Sequence, residues 1–546
     1  MALVLHALFP AHIDASGLVG LVVHSQMAKT DWRTDVRLTA DAQADDRLAA
    51  ERVGDDRPFV IAVLGDFTGA GEDGSPAPAT APRRLIEVDR DNFDAVLARF
   101  NVRWRGELQA AAPVPAPLPV HITLREFDDF HPDRIVAQIE PLRVLLETRR
   151  ALEDPARFED AAAEVMRWAK VPSAAPAAPP PEPAAVVPID VKPSELLERI
   201  LSESAHEETP SSPQLGRGDL QRFLETVVGP HLVRVDQARQ TALTRAVDQA
   251  LSQQVRSVLH ESSFQRIEAA WRSLRWLVHT AESGSTLKIR VVQLTKDELQ
   301  SDADANTPPE DSRLGRLLLE PSLAPPALLV GNYEFAHRGE DVGVLQHVGR
   351  IARMLRAPFI AAASGALLGW DSLDEMPSAT TVARRFEEPG YGEWQALRAS
   401  PEARWLALAL PRLLCRVPYG ASRDPVESFD FEEPAAGAGH EQLLWGNPAF
   451  AVAAVIAGAF AAEGWSLDPS SEVQRLEGLP LYVYDDDGTA VTQPCAEALL
   501  NERLVEVLEQ AGLIPVVAYR DADTIALPCL QSLAAPRAPL AWTESS

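Results

Sequence analysis

The residues that could do chemistry are few and scattered. Gly65-Asp-Phe-Thr-Gly69 has the look of half a phosphate-binding loop, but no lysine follows it and the chain holds no G-x-x-x-x-G-K-[ST]. Asp89, Asp91 and Asp94 gather carboxylates on one short stretch, close in type to Asp66. Such a set could ligate a hard cation, but an Asp at a helix start usually serves as a cap. Asp485-Asp-Asp-Gly488 reads as a turn between strand and loop. His121 and His131 read as a strand-end and a helix-start residue, and His260 has Glu261 and Glu268 as candidate partners. Cys495 follows Pro494 with no histidine placed beside it by motif. G-x-S-x-G, H-E-x-x-H and EF-hand loops are absent. The expectation is a protein with no catalytic residues, no cofactor and no metal.

Composition narrows the partners. A formal net charge of −28 and a pI near 4.9 disfavour nucleic acid, which is bound by neutralising phosphates with Lys and Arg, and disfavour anionic membrane surfaces. Cys415, Cys495 and Cys529 are odd in number, far apart and without a C-x-x-C, which fits a reducing, cytoplasmic setting. No apolar run reaches the roughly 18 residues of a membrane span. The best candidate, 449–462, reads as a buried Ala-rich helix, so no membrane insertion is expected. Met27 opens a second plausible start, leaving 1–26 as an extra element or a start-site artefact.

The elements that must hold these residues alternate strand and helix, so the fold class is α/β with α+β mixing. Pro58–Gly65 is a β-branched apolar run, a buried strand feeding a loop. Strands are expected at 85–89, 118–124, 286–294, 328–333, 358–363, 481–484 and 514–519. Helices are expected at 91–100, from 128–133 through 150, at 155–169, 217–229, 231–279, 341–355 and 497–511, with an ambiguous apolar stretch at 402–408. The stretch His260–Leu277 carries Phe264, Ile267, Trp271, Leu274 and Leu277 at helical spacing, with Trp276 widening the stripe. Ser262 or Ser263 could cap it, and Glu268 with Arg272 is spaced as an exposed ion pair. Phe264, Trp271 and, further on, Trp445 are the expected core anchors.

Composition also divides the chain. Residues 1–56 form an N-terminal extension, in which 34–40 alternates like an edge strand with Val36 and Leu38 on one face. Residues 57–170 form a first domain, and 171–193 a Pro/Ala-rich linker unable to pack. Residues 194–213 hold a short capped amphipathic helix (Leu196, Leu197, Ile200, Leu201) and a polar gap. A helix so short, tethered on both sides, is more often a docking element than core. Residues 214–546 form the second domain.

Several stretches together resemble one family. Pro58–Gly69, Val88–Asp94 and Phe127–Asp133 are similar to the small sheath subunit of the bacterial type VI secretion system. Leu196–Leu201, His260–Leu277, Lys288–Val291, Ala357–Ala361, Leu410–Arg412, Pro418–Gly420, Leu444–Asn447, Pro494–Glu497 and Gly512–Pro515 resemble its large subunit. The resemblance covers most of 57–533, in family order. It implies a natural fusion of the two subunits: a structural, non-enzymatic tail sheath protein that forms a helical polymer around an inner tube of stacked hexamers. Contraction then drives the tube into a target cell. It implies strands exchanged between protomers, with Val36 and Leu38 as a candidate interprotomer strand. It further implies baseplate components as partners, and an AAA+ unfoldase that grips a helix matching Leu196, Leu197, Ile200 and Leu201. The family's large subunit continues past the Gln531–Leu533 region with further strands, whereas this sequence stops at Ser546. A truncated, non-polymerising homologue acting as adaptor or assembly factor is the alternative.

Overall fold

The computed structural model describes residues 57–70, 83–108, 118–169, 236–304, 306–370, 378–433, 439–468, 473–486 and 488–542. The extension with Val36 and Leu38, the linker 171–193 and the helix with Leu196, Leu197, Ile200 and Leu201 lie outside the described residues.

The apolar run predicted as a buried strand, β1 (Phe59–Gly65), is the middle of the fold and every one of its residues is buried. After it come β2 (Ile86–Val88), α1 (Phe93–Phe100) and the hairpin β3 (Val102–Leu108) and β4 (Leu118–Leu124). Helices α2 (Pro132–Gln138), α3 (Glu140–Glu153) and α4 (Phe158–Ala169) complete the first region. Beyond the linker stand α5 (Gln237–Leu259), α6 (Ser262–Thr280) and β5 (Leu287–Gln293). Then follow β6 (Leu328–Phe335), α7 (Gly339–Leu355), β7 (Phe359–Ala363), β8 (Leu406–Leu410) and α8 (Ala449–Glu463).

Among the described residues the largest sheet has seven strands in the order (Ile514–Pro515)-β8-β7-β6-β1-β5-β2. β1 runs parallel to both its neighbours, with Ile61 in register with Ile289 on one side and Leu328 on the other. Both neighbours come from beyond the linker. The two regions separated by composition therefore share one sheet.

A parallel strand needs both faces covered. Phe59, Ile61 and Val63 face the core built with α6, α8 and the first region's helices, while Ala62 and Leu64 face α7. The Ala-rich α8 is apolar on all sides, with a mean hydropathy of 1.5 over Ala449–Ser466, and it packs against α6 and strands β6–β8. Ala side chains let it approach the sheet closely.

Local differences from the sequence expectation have local causes. The helix expected over 231–279 is two helices, broken at His260-Glu261. Asp236 caps α5, and Glu261, not Ser262 or Ser263, caps α6, accepting from the Ser263 and Phe264 amides at 2.9 and 3.1 Å. At α1 the free amides of Asp91 and Asn92 are met by Asp89, at 3.0 and 2.9 Å. The helix expected from Glu497 starts only at Glu502, because the Glu497 amide donates to the Arg412 carbonyl and Asn501 supplies the cap. The ambiguous stretch near 402–408 resolves into a short 3-10 turn, Pro401–Trp405, feeding β8.

Candidate functional site

The chemistry-bearing residues concentrate at the seam between the two regions. Trp271 of α6 crosses it, fully buried, into a box of Phe67, Phe93 and Phe100. The ring centroids are 5.3, 5.8 and 5.1 Å away and all three contacts are edge-on, the geometry aromatic quadrupoles favour. Trp271 Nε1 donates to the Phe67 carbonyl at 2.9 Å, so the indole buries no unmet donor here. Phe264 is equally buried and meets Trp104 and Phe130 of the first region.

The loop that looks like half a phosphate loop is part of this packing. Asp66 Oδ1 accepts from the Thr68 and Gly69 amides at 3.1 and 3.0 Å and from Gln293 Nε2 at 2.6 Å. Gly69 has φ +72°, and a Cβ there would lie 2.6 Å from Ile267 Cδ1 of α6. The glycine is required by backbone shape and by close approach to a helix.

Below the aromatic box lies a buried ion network that no local motif announces. Glu268, spaced in the sequence as an exposed partner of Arg272, is 0% exposed. Its Oε1 accepts from Arg272 Nε and from Arg416 Nε, each at 2.7 Å. Arg416 also donates to Glu433 at 2.6 and 2.9 Å, and the Tyr419 amide donates to Glu433 at 2.7 Å. His260 Nε2 lies 3.5 Å from Glu433, so the histidine faces Glu433 and not its sequence neighbours Glu261 and Glu268. Arg272 Nη2 donates to the Tyr419 hydroxyl at 2.8 Å. The first region is tied to the same loop by Asp133 at the start of α2, whose carboxylate accepts from the Glu427 and Ser428 amides and the Ser428 hydroxyl. His131, beside it, accepts from the Asp133 amide and sets its ring edge-on to Tyr419.

A second pair braces the far side. Arg412 donates twice to Glu497, at 2.8 and 2.6 Å, and His440 Nε2 lies 2.9 Å from the same carboxylate. Trp445, also buried, stacks on His440 and donates from Nε1 to its carbonyl at 3.1 Å.

Electrostatics follow from burial and pairing. Burial acts to raise the Glu433 pKa, but Arg416, with His260 nearby and hydrogen bonds from Arg416 and the Tyr419 amide, outweighs it and holds the carboxyl at about 2. For Glu497, burial is outweighed by Arg412 and His440, again to about 2. Burial pushes the thiols up, Cys415 to about 11, Cys495 and Cys529 to about 12. Each is therefore a protonated, weakly nucleophilic group at neutral pH. Among the described residues no group of three or more His, Cys, Asp or Glu is arranged to hold a metal ion.

These two carboxyls have a pH consequence. A group whose folded pKa is depressed stabilises the fold above its unfolded value and loses that contribution as pH falls through the folded value. Stability from Glu433 and Glu497 is therefore expected to be complete above about pH 4.5 and to drain away towards pH 2. Urea unfolding at stepped pH reads this directly. A double Glu433→Gln/Glu497→Gln variant with the same acid slope as the parent would show that other groups carry it.

A cavity of about 640 Å³ opens beside the network, between Phe127 and Asp128, Arg272, Arg275 and Trp276 of α6, and Phe450 of α8. Arg416, Glu433, Glu497 and this cavity were not found by reading the sequence. Their partners are far away along the chain, and a single Arg or Glu in a loop carries no spacing signal.

Comparison with known proteins agrees with the residue-level resemblance. The family described as EvpB/VC_A0108, tail sheath N-terminal domain, matches residues 241–534, more than half of the chain. The family described as Type VI secretion system, VipA, VC_A0107 or Hcp2, matches residues 37–163. The chain is 34% identical over 308 residues to type VI secretion system sheath protein TssC1 of Pseudomonas aeruginosa, covering 54% of this chain and 61% of that protein. It is 33% identical over 103 residues to sheath protein TssB1 of the same organism, covering 19% of this chain and 59% of that protein. The chain thus spans about three-fifths of the length of each relative. With a small-subunit match ahead of the linker and a large-subunit match beyond it, the chain belongs to the type VI secretion tail sheath family, as a fusion of its two kinds of subunit.

Proposed function

We propose that the chain is a structural subunit of a contractile type VI secretion sheath, polymerising in the cytoplasm around an inner tube and contracting to drive that tube into a target cell. The observation that carries this reading is the position of β1. A strand from the small-subunit-like region lies inside a sheet whose other strands, the edge strand β2 excepted, come from the large-subunit-like region. Force applied to either region must pass through the shared sheet, which suits a load-bearing protomer. The aromatic box and the paired carboxylates support a mechanical, non-enzymatic role: they join elements and expose no reactive group.

The test is negative-stain electron microscopy of the protein produced together with its inner-tube protein. Helical tubes or rings are expected. Discrete particles that bind sheath or baseplate proteins without forming tubes would replace this reading with that of a non-polymerising adaptor or assembly factor.

Recycling by an AAA+ unfoldase is part of the same proposal, with Leu196, Leu197, Ile200 and Leu201 as the docking face. Leu197→Asp with Ile200→Asp is expected to abolish unfoldase binding in a pull-down and to leave thermal melting unchanged. Undiminished binding would remove this segment from the docking role. Val36 and Leu38 are proposed as an interprotomer strand. Pro at both positions should block polymerisation without loss of folded protomer, because Pro cannot donate to a strand ladder.

A further inference from the structure

The seam cavity holds a guanidinium that no hydrogen bond engages. Trp276 lines the cavity with its ring, and its Nε1 is buried away from the opening. The Arg275 guanidinium lies 3.9 Å over the Phe127 ring and, among the described residues, donates no hydrogen bond. Burial pulls its pKa down, and the Asp94 and Asp128 carboxylates only partly oppose this, so it is a cation short of partners. Its neighbour Arg272 is committed to Glu268 and Tyr419. Asn447 is committed as well: its amide nitrogen donates to the Gly331 and Tyr333 carbonyls, and its oxygen accepts from Ala449.

The acidic residues around the cavity do not meet this need. Asp133 is occupied by the Glu427 and Ser428 amides. Asp128, Asp424 and Glu427 are exposed at the rim. The walls are flat and apolar where Phe127, Trp276 and Phe450 line them. A cavity of about 640 Å³ falls in the size range of small-molecule sites, which pair apolar walls with a few convergent polar groups.

We propose that this cavity binds a small organic anion with a flat apolar body. Its carboxylate or sulfonate pairs with the Arg275 guanidinium, and its ring system lies against Phe127, Trp276 and Phe450. Such a ligand would sit between α6 and the start of α2 and touch both sequence regions, so occupancy would tighten the seam.

The probe for this is 8-anilinonaphthalene-1-sulfonate, titrated into the full-length protein and read by energy transfer from tryptophan. One saturable site per chain is expected. The uncharged N-phenyl-1-naphthylamine should bind the parent about tenfold more weakly, and the Arg275→Gln variant should bind the sulfonate about tenfold more weakly, as expected for loss of one charge-assisted hydrogen bond. Salt screens the exposed rim carboxylates more than the half-buried guanidinium, so affinity should hold or rise with added salt. Equal affinity for the uncharged probe, unchanged affinity in Arg275→Gln, or loss of binding with salt would each overturn the proposal. Should Arg275→Gln fail to fold, the uncharged probe on the parent protein decides it.

Discussion

Arg416→Met is expected to lower the unfolding free energy by about 3–5 kcal/mol, the usual cost of removing one partner from a buried ion network. Arg416 stands between Glu268 and Glu433, whose side chains are 0% and 2% exposed, and is itself 5% exposed. Methionine keeps the stem but leaves two carboxylates facing each other away from water. Arg272 remains for Glu268, and His260 remains near Glu433, so the loss is large but not complete. Like charges at short range push each other's pKa up, so the variant should also begin to unfold at a higher pH on acidification. The decisive control is the double variant Arg416→Met/Glu433→Gln, which leaves Glu268 paired with Arg272. Removing a buried charge together with its partner can be nearly neutral, so the double variant should recover much of the single variant's loss. Urea unfolding with linear extrapolation measures both. A cost below about 1 kcal/mol for the single variant would mean that the network behaves like an exposed pair.

Trp271→Ala is expected to cost a further, separate ~3–5 kcal/mol, the range for removing a fully buried large aromatic. The residue makes three ring contacts and one hydrogen bond, all four with residues of the first region. Its loss should therefore weaken the joint between regions as well as the core. A protease site engineered into the Pro/Ala tract separates the two effects. The cut parent should elute as one complex of two pieces, because β1 is hydrogen-bonded on both edges by strands from the other piece. The cut Trp271→Ala protein should come apart at lower urea than it needs when intact. Pieces of the cut parent that separate without denaturant would contradict the shared sheet. Trp271→Phe should retain more of the affinity than Trp271→Ala, since it keeps one ring in the box while losing part of the indole's volume and the donor to the Phe67 carbonyl.

What could be read from the chain alone was what local periodicity and composition encode. The run Phe59–Gly65 read as a strand buried on both faces because it is short, rich in β-branched residues and bounded by Pro58 and Gly65. The stripe through Phe264, Trp271 and Leu277 could only be a helix with a wide apolar face. The family resemblance rested on such segments, because packed cores constrain residue type position by position. Cap positions were less legible. Glu261 replaces a serine cap at α6, because any side-chain oxygen that reaches the second and third amides will serve.

The charged residues were the least legible. Glu268 and Arg272 have the spacing of a solvent-exposed pair, and that spacing is the same whether water or another chain segment lies beyond them. Only tertiary structure brings Arg416 and Glu433 there, across 148 residues in one contact, and turns a surface motif into a buried lock. The same reason applies to the domain boundary. Composition proposed a boundary at 171–193, but which strands neighbour β1 is decided by long-range pairing, and that pairing makes one sheet from two sequence regions. Periodicity thus settled which faces of each element are apolar. The partners those faces and charges meet depend on segments a hundred or more residues away, and no local pattern carries that information.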